Sequence, residues 1–277
     1  MRKLHTLAIA LFATAFLLVS TAPAQAGKLG RQLTEESTLT TILKRGTLRV
    51  GMDTFVPWAM KDKTGKFIGF EIDVARRLAE DMGVDIEFVP TSWDGIIPAL
   101  LAGKFDLLIG GMGIRADRAV KVNFSIPYYS TGMSIVANSK KIPGATKLED
   151  FNKEDIVISA RKGTTAAKAA KRFMPNAKLR LFNKEPQAVQ ELLNGRAHAF
   201  ISMAPLPAQE AIKHKDKLYL PMTGNFTNEP NGIAMRKGDV DMLNFVNSWI
   251  RATKAEGWIL DRQKYWFTTL DWQSQVQ

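Results

Sequence analysis

The sequence contains no cysteine. Disulfide bonds are therefore excluded, and the folded chain must derive its stability from a hydrophobic core. The same absence leaves no acceptor for a bacterial lipid anchor after the apolar N-terminal segment, so we expect a free mature protein. Hydrophobic residues make up 45% of the chain and no tract is of low complexity, which is typical of a fully globular protein.

Long apolar runs are also scarce. The one that is present covers residues 7–19 and follows two basic residues. About a dozen apolar residues are too few to span a bilayer comfortably. The tripeptide AQA at 24–26 places small residues at the two positions that a signal peptidase recognises. We therefore predict a signal peptide over residues 1–26, cleavage after Ala26 and a periplasmic location. An uncleaved membrane anchor is the alternative.

Acidic residues are fewer than basic ones, 27 against 38, and the formal net charge is +11. Removal of the signal peptide lowers this charge by two, because Arg2 and Lys3 leave with it. A basic balance can indicate nucleic-acid binding. Here, however, Lys and Arg are spread along the chain, and the periplasm offers no nucleic-acid partner. We interpret the excess as a solvated basic surface, and association with an anionic outer surface stays open.

Strand-like and helix-like segments alternate through the first half of the mature chain. Short β-rich runs cover 47–51, 84–89 and 106–110, and the last is almost wholly apolar, as a buried parallel strand should be. Between them, 70–82 and 94–101 are predicted helices, the former because its apolar residues recur at helical spacing. The order β-α-β-α-β predicts an open α/β layer.

The same pattern restarts in the second half and predicts a second lobe rather than one long sheet. Predicted strands cover 155–159, 178–182 and 197–202, and predicted helices cover 165–173, 185–194 and 206–214, followed by two C-terminal helices over 242–256 and 258–266.

Two extended stretches, 128–138 and 232–235, lie at the two ends of this second unit. The economical arrangement is a chain that crosses from lobe 1 to lobe 2 and back, so that two crossing strands form a hinge. We assign 27–131 plus 233–277 to lobe 1 and 132–232 to lobe 2. Ligands of open α/β sheets bind beyond the carboxyl ends of the strands, which here face the cleft between the lobes.

Four blocks of the sequence, in this order and spacing, resemble the polar amino-acid-binding proteins of ABC importers, the family 3 solute-binding proteins. They are GTLRVGMDTFVPWAM, GFEIDVARRLAEDMG, SWDGIIPALLAGKFDLLIGGM and ADRAVKVNFSIPYY, and the resemblance continues through ARKGTT, NGRAHAFISM and GIAMRKGD. It implies the two-lobed periplasmic-binding-protein fold and capture of an amino acid or related small carboxylate by hinge closure. It also implies a membrane permease as partner, a monomer, and no cofactor or metal.

The resemblance implies that Arg118 and Thr165 hold the ligand's α-carboxylate from opposite lobes. A guanidinium makes two charge-assisted hydrogen bonds in fixed geometry, and a helix N-terminus such as that at Thr165 binds anions. Phe55 and Trp93 match the aromatic positions that sandwich the ligand's side chain. The alternatives are a surface arginine, a threonine that only caps its helix, and ordinary core packing, to which we assign Trp58.

Four further candidates come from the same resemblance. The carbonyl of Gly111 would accept from the ligand's ammonium group, and Gly113 stands where relatives usually carry Ser or Thr. Asp53 matches an Asp that relatives use for amide or cationic side chains, and Arg161 lies near the predicted pocket mouth. As alternatives, both glycines can be plain turn residues, Asp53 can bond its own backbone, and Arg161 can be solvated.

Met203 departs from the family pattern, because it stands where amino-acid binders carry an Asp that neutralises the ligand's α-ammonium. A desolvated charge without a partner is costly. Either another acceptor replaces that Asp, or the ligand lacks a free α-amino group. A flexible Met would suit N-alkyl groups against an aromatic wall.

Two other functions share this fold. A cleft enzyme of the cyclohexadienyl dehydratase type needs a general acid, but Ala166 and Ala167 stand where we expect it, and His198 and His214 lack partner spacing for nucleophilic or metal chemistry. A sensory receptor usually continues into a membrane span and a signalling domain, and we see neither before Gln277. We therefore predict a binding protein without catalytic residues, and a ligand-presenting receptor stays open.

Overall fold

The computed structural model describes residues 37–276. The strands are β1 (Thr47–Met52), β2 (Met60–Lys61), β3 (Phe67–Ile68), β4 (Asp85–Pro90), β5 (Leu107–Leu108), β6 (Asn123–Phe124), β7 (Tyr129–Thr131), β8 (Met133–Asn138), β9 (Val157–Arg161), β10 (Lys178–Phe182), β11 (Ala199–Met203), β12 (Leu218–Tyr219), β13 (Glu229–Asn231) and β14 (Ala234–Met235). The α-helices are α1 (Thr38–Arg45), α2 (Phe70–Asp81), α3 (Ile96–Leu101), α4 (Ala116–Ala119), α5 (Leu148–Phe151), α6 (Thr165–Phe173), α7 (Glu185–Leu193), α8 (Leu206–Lys213), α9 (Val240–Ala255) and α10 (Trp258–Gln263).

Lobe 1 is built around a five-stranded sheet with the order β4-β1-β5-β14-β6. Strand β1 runs parallel to β4 and β5, whereas β14 runs antiparallel to β5 and β6. Helix α2 covers this sheet with a buried face that includes Phe70, Val74 and Leu78, which recur every four residues as an amphipathic helix requires. Because β14 comes late in the chain, lobe 1 is completed only after lobe 2.

Lobe 2 is built around a second five-stranded sheet with the order β10-β9-β11-β8-β12. Strands β10, β9 and β11 are parallel, and β8 runs antiparallel to β11 and β12. Every residue of the central strands β8 and β11 is buried. Continuous burial of this kind requires helices on both faces of the sheet, which explains why these strands lack an alternating polar pattern.

A two-stranded antiparallel ladder joins the two lobes. It pairs β7 with β13, with Tyr129 opposite Asn231 and Thr131 opposite Glu229. Strand β7 leads directly into β8, and β13 leads into β14, so both crossings predicted from the sequence are present. The open, two-lobed α/β fold with a two-strand hinge is therefore confirmed. We propose that the lobes are divided after residues 131 and 232, near the ends of this ladder.

A buried carboxyl group ties the hinge to lobe 1. Glu71 of α2 accepts hydrogen bonds from the hydroxyls of Tyr128 (2.6 Å) and Tyr129 (3.1 Å). The Tyr129 hydroxyl in turn accepts from Nε1 of Trp58 at 2.7 Å. Burial raises the pKa of Glu71 to about 7, against the opposing effect of these hydroxyls. As predicted, Trp58 belongs to the core: its side chain is fully buried.

The predicted signal peptide lies outside the described residues. Among residues 37–276, no helix has the length and apolarity needed to cross a membrane. Helix α1 was not predicted from the sequence, and Ile42 is the one residue of this helix that is buried. The predicted helices over 94–101 and 258–266 are each divided, the first by a 3-10 turn at Trp93–Gly95 and the second by a π turn at Lys264–Thr268.

Candidate functional site

A pocket of about 370 Å³, part of it open to solvent, lies between the two lobes. Lobe 1 lines it with Phe55, Trp93, Gly110, Gly111 and Arg118, and lobe 2 with Met133, Arg161, Thr164, Thr165, Ala166, Glu185, Ser202 and Met203. Seven of the nine residues predicted to bind ligand therefore meet at one pocket.

The lobes are in contact across the cleft. Nη2 of Arg118 donates to the carbonyl of Gly163 at 3.3 Å. Four side chains of lobe 2 form ion pairs with carboxylates of lobe 1: Lys162 with Asp94 (2.9 Å), Lys168 with Asp117 (2.7 Å), and both Arg161 and Lys184 with Asp53, the latter at 2.6 Å. The structure is thus a closed form of the hinge.

Arg118 is a buried cation whose hydrogen-bond partners among the described residues are main-chain carbonyls. It lies in α4 and is 5% exposed. Nη1 donates to the carbonyl of Gly113 at 2.9 Å, and no carboxylate of the described chain lies within 4.0 Å to form an ion pair with it. Burial lowers its pKa to about 10, with nearby Arg115 adding to the effect, so it stays charged at neutral pH. A buried cation in this state favours an incoming anion.

The N-terminus of α6 faces Arg118 from the other lobe. Thr164 caps this helix by accepting from the amide of Ala167, and Thr165 is its first residue. A Cβ atom built on Gly113 would lie 3.3 Å from Cγ2 of Thr165 and 3.8 Å from Nη1 of Arg118. Gly113 therefore lies between the two residues predicted to hold the carboxylate, although it is not itself part of the pocket lining.

Two aromatic rings line the lobe 1 side of the pocket. Phe55 stacks on Trp58, with ring centroids 4.2 Å apart and an interplanar angle of 5°. The ring of Trp93 lies close to two guanidinium groups, 5.7 Å from that of Arg118 and 5.5 Å from that of Arg161. Phe55 is thus held by the core behind it, and Trp93 by cation–π contacts.

Asp53 lies behind the pocket rather than in its lining. It is 5% exposed, and its carboxylate accepts from the amides of Thr54 and Trp93, both at 2.8 Å. It also pairs with Arg161 and, at 2.6 Å, with Nζ of Lys184. Direct contact between Asp53 and ligand stays a prediction. Its observed partner is Arg161, which is buried and lines the pocket rather than lying in solvent.

The pocket wall beside Met203 is built of methionine. Met203 ends β11 and stands opposite Met133, the first residue of β8. Both side chains are buried, and both line the pocket. The position at which relatives place a carboxylate is therefore part of an apolar wall.

Glu185 is a pocket residue that sequence reasoning missed. It is the first residue of α7, it is 5% exposed, and its Oε1 accepts from the hydroxyl of Ser202 at 3.2 Å. Burial raises its pKa to about 7, against the effects of Arg161 and Ser202. The sequence marks it only as an acidic residue at a helix start, which is common. Its place just after β10, a strand whose carboxyl end borders the cleft, is the signal that could have found it.

The family model for bacterial extracellular solute-binding proteins, family 3, matches residues 48–269. The chain belongs to this family. Among curated relatives, the L-cystine-binding protein TcyJ of Escherichia coli K12 is 28% identical over 87% of this chain and 90% of its own length. A cyclohexadienyl dehydratase of Pseudomonas aeruginosa is 24% identical over 84% of this chain and 87% of its own length.

Two solved structures are more similar in sequence. The ancestral amino acid-binding protein AncCDT-1, a precursor of cyclohexadienyl dehydratase, is 44% identical with a TM-score of 0.76, and the match covers 83% of this chain and 99% of that one. The putative ABC transporter binding component from Wolinella succinogenes, complexed with lysine, is 40% identical with a TM-score of 0.78 over the same shares. The predicted family is therefore confirmed, and most of these relatives are named as binding proteins.

Proposed function

We propose that this chain is the periplasmic solute-binding component of an ABC importer, and that it captures an amino acid or related small carboxylate by hinge closure. The observation that carries this proposal is Arg118, a buried cation in the cleft that contacts a carbonyl of each lobe and forms no ion pair with a carboxylate of residues 37–276. A ligand carboxylate would supply the missing negative charge. Its oxygens would also meet the N-terminus of α6 from the opposite side.

The charge of the cleft favours a carboxylate ligand. The charged side chains that line the pocket are Arg118, Arg161 and Glu185. Arg161 is already paired with Asp53, and Glu229 acts on Arg118 from outside the lining. In our proposal Arg118 and Thr165 bind the carboxylate, Gly111 and Gly113 shape the space beside them, and Phe55, Trp93 and Met203 form the walls. Asp53 acts through Arg161, which it holds at the pocket.

Closure follows from the contacts that ligand makes with both lobes. A ligand that bridges Arg118 of lobe 1 and Thr165 of lobe 2 binds the closed form better than the open one, and so shifts the population toward closure. The permease would recognise the closed shape. We include export with cleavage after Ala26 and a monomeric state in the same proposal. The description of the family as extracellular supports export.

A panel of ligands in a thermal-shift assay tests this function. Ligand at 100- to 1,000-fold above its dissociation constant should raise stability by about 3 to 4 kcal/mol. The panel compares standard amino acids with betaines, N-substituted amino acids and simple carboxylates. A rise in melting temperature with at least one carboxylate of this panel is the expected result. If no carboxylate raises it while neutral solutes do, the proposed ligand class is wrong.

We also propose that the chain does not convert its solute. One observation makes the dehydratase alternative worth testing: Glu185 is a buried acid in the cleft with a pKa of about 7. An acid of this kind could give its proton to the leaving hydroxyl of prephenate while CO₂ departs, which yields water, CO₂ and phenylpyruvate. Incubation of the protein with prephenate should give no phenylpyruvate above the uncatalysed rate. Formation of phenylpyruvate that is lost in Glu185→Gln would assign the enzyme function instead.

A further inference from the structure

We infer that Glu185 is the anionic partner of an ammonium group on the ligand, in place of the Asp that relatives carry at position 203. This inference rests on the proposed function, since it names a second contact for the same carboxylate ligand. It makes the expected solute a zwitterion or a cationic amino acid, with its carboxylate at Arg118 and an amine at Glu185. N-alkylated solutes and plain carboxylates would then be poorer ligands.

Asp53 cannot accept a ligand ammonium in the closed form. Its Oδ1 accepts from the amide of Thr54 and from Nζ of Lys184, and its Oδ2 accepts from the amide of Trp93 and from Arg161. Each carboxylate oxygen has about two acceptor positions. All are occupied, and two of the donors are cations that neutralise the charge. Glu185 is then the acidic side chain that lines the pocket.

Glu185 has a free hydrogen-bond acceptor, its Oε2 atom. Its side chain is 5% exposed, its Oε1 accepts from Ser202, and its Oε2 is buried with no hydrogen-bond partner among the described residues. A buried carboxylate oxygen without a donor is unfavourable, because it has lost its hydration and gained nothing in return. A ligand N–H that reaches Oε2 would remove this deficit.

Glu185 does not serve as an ordinary acid of a helix start. Such residues accept from free backbone amides of the first turn or face water. Here the side chain that accepts at the first turn of α7 is Gln187, which bonds the amide of Lys184 at 3.2 Å, whereas Glu185 accepts from Ser202. The carboxyl group points away from its own helix and into the pocket.

The carboxyl group of Glu185 lies beside the carboxyl end of β11. Its Ser202 partner is the immediate neighbour of Met203, and both residues line the pocket. The acidic side chain at this end of β11 therefore comes from the start of α7, whereas position 203 is a methionine. Arg161, the charged group that acts on Glu185 from β9, is itself paired with Asp53.

Isothermal titration calorimetry of the wild-type protein and Glu185→Gln tests this inference. The probes are L-lysine, with two ammonium groups; L-norleucine, with the α-ammonium alone; 6-aminohexanoate, with the distal ammonium alone; and hexanoate, with neither. We expect Glu185→Gln to lose at least tenfold in affinity for the probes whose ammonium reaches Glu185, and to bind hexanoate like the wild type. The pattern across L-norleucine and 6-aminohexanoate shows which ammonium it is.

Three controls separate the possible failures. Glu149→Gln removes an exposed carboxylate of lobe 2 and should bind all probes normally. Glu185→Asp keeps the charge and should recover part of the lost affinity, which a purely structural role would not require. If Arg118→Ala abolishes binding but Glu185→Gln binds every ammonium probe like the wild type, the Glu185 inference is wrong and the proposed function stands. If no probe binds to the wild type, the inference that the solute is an amine-bearing carboxylate of this kind is wrong, and the wider ligand panel decides the carboxylate class separately.

Discussion

Asp53 and Arg161 form a buried ion pair that joins the two lobes across the cleft. Their side chains are 4% and 3% exposed, and Asp53 receives two backbone amides and Lys184 in addition. Because Asp53 follows β1 and Arg161 ends β9, the pair exists only when the lobes approach each other. It therefore stabilises the closed form and holds the Arg161 guanidinium against Trp93 at the pocket.

Asp53→Asn should shift the protein toward its open form. In the closed variant, Arg161 would be buried without its counter-charge, whereas in the open form water can solvate it. We expect ligand affinity to fall by about 10- to 100-fold, or about 1.4 to 2.8 kcal/mol, with little change in unfolding. Calorimetry gives the affinity, and small-angle scattering gives the fraction of closed protein. Asp85→Asn, at an exposed position of lobe 1, is the control; equal affinities for both variants would contradict a role of the pair in closure.

The two outer ion pairs across the cleft should matter much less. Lys162–Asp94 and Lys168–Asp117 join side chains that are 38% to 59% exposed. Ion pairs in contact with solvent contribute about 0 to 1 kcal/mol each. We therefore expect Lys162→Ala and Lys168→Ala to change ligand affinity by less than about fivefold. Titrations at low and high salt measure this, and a tenfold loss in either variant would show that closure depends on these surface pairs.

The pH dependence of stability should reveal the buried Glu71 at the hinge. Its pKa is about 7 in the folded protein and near 4.5 in the unfolded chain. Between these values the folded state holds a proton that the unfolded state has lost, so this group's contribution to stability is present below pH 4.5 and declines as pH rises to 7. The full loss is on the order of 3 kcal/mol.

Denaturant titrations at pH 5 and pH 8 measure this effect. Glu71→Gln cannot ionise, so the difference in unfolding free energy between wild type and variant should change with pH, in favour of the variant at pH 8. Glu185 titrates in the same range, and Glu185→Gln should therefore also flatten the wild-type profile in part. A difference between wild type and Glu71→Gln that is the same at both pH values would show that Glu71 titrates normally.

Much of this fold could be predicted from sequence, because its strands and helices carry their own patterns. The predicted bounds of α6 and β10 agree with the structure, since a small-residue helix face and a strand that alternates basic and apolar residues are local signals. Pairing of Arg118 with Thr165 followed from the family resemblance, and the structure places both at one pocket.

The position of the acidic groups could not be predicted. Asp53 follows a strand end, as a ligand-binding acid should, but whether it faces the ligand or Arg161 depends on how lobe 2 docks. Glu185 looks like any helix-start acid until the closed lobes bury it. Met203 was the one local clue, because an apolar residue at an expected acid position indicates that the charge lies elsewhere. The contacts of Asp53 and Glu185 depend on how the two lobes pack together, which no local sequence pattern encodes.

Calorimetric titration of Arg118→Ala, with the ligand that stabilises the wild type best, tests whether the guanidinium holds the ligand's carboxylate. We expect a loss of at least 100-fold in affinity, because the variant lacks the group that would make charge-assisted hydrogen bonds to the carboxylate. The melting temperature of the unliganded variant should change little, since the acceptors of Arg118 among the described residues are two carbonyls. Lys121→Ala, an exposed cation of the same segment, should bind normally. Wild-type affinity in Arg118→Ala would show that Arg118 does not bind the carboxylate.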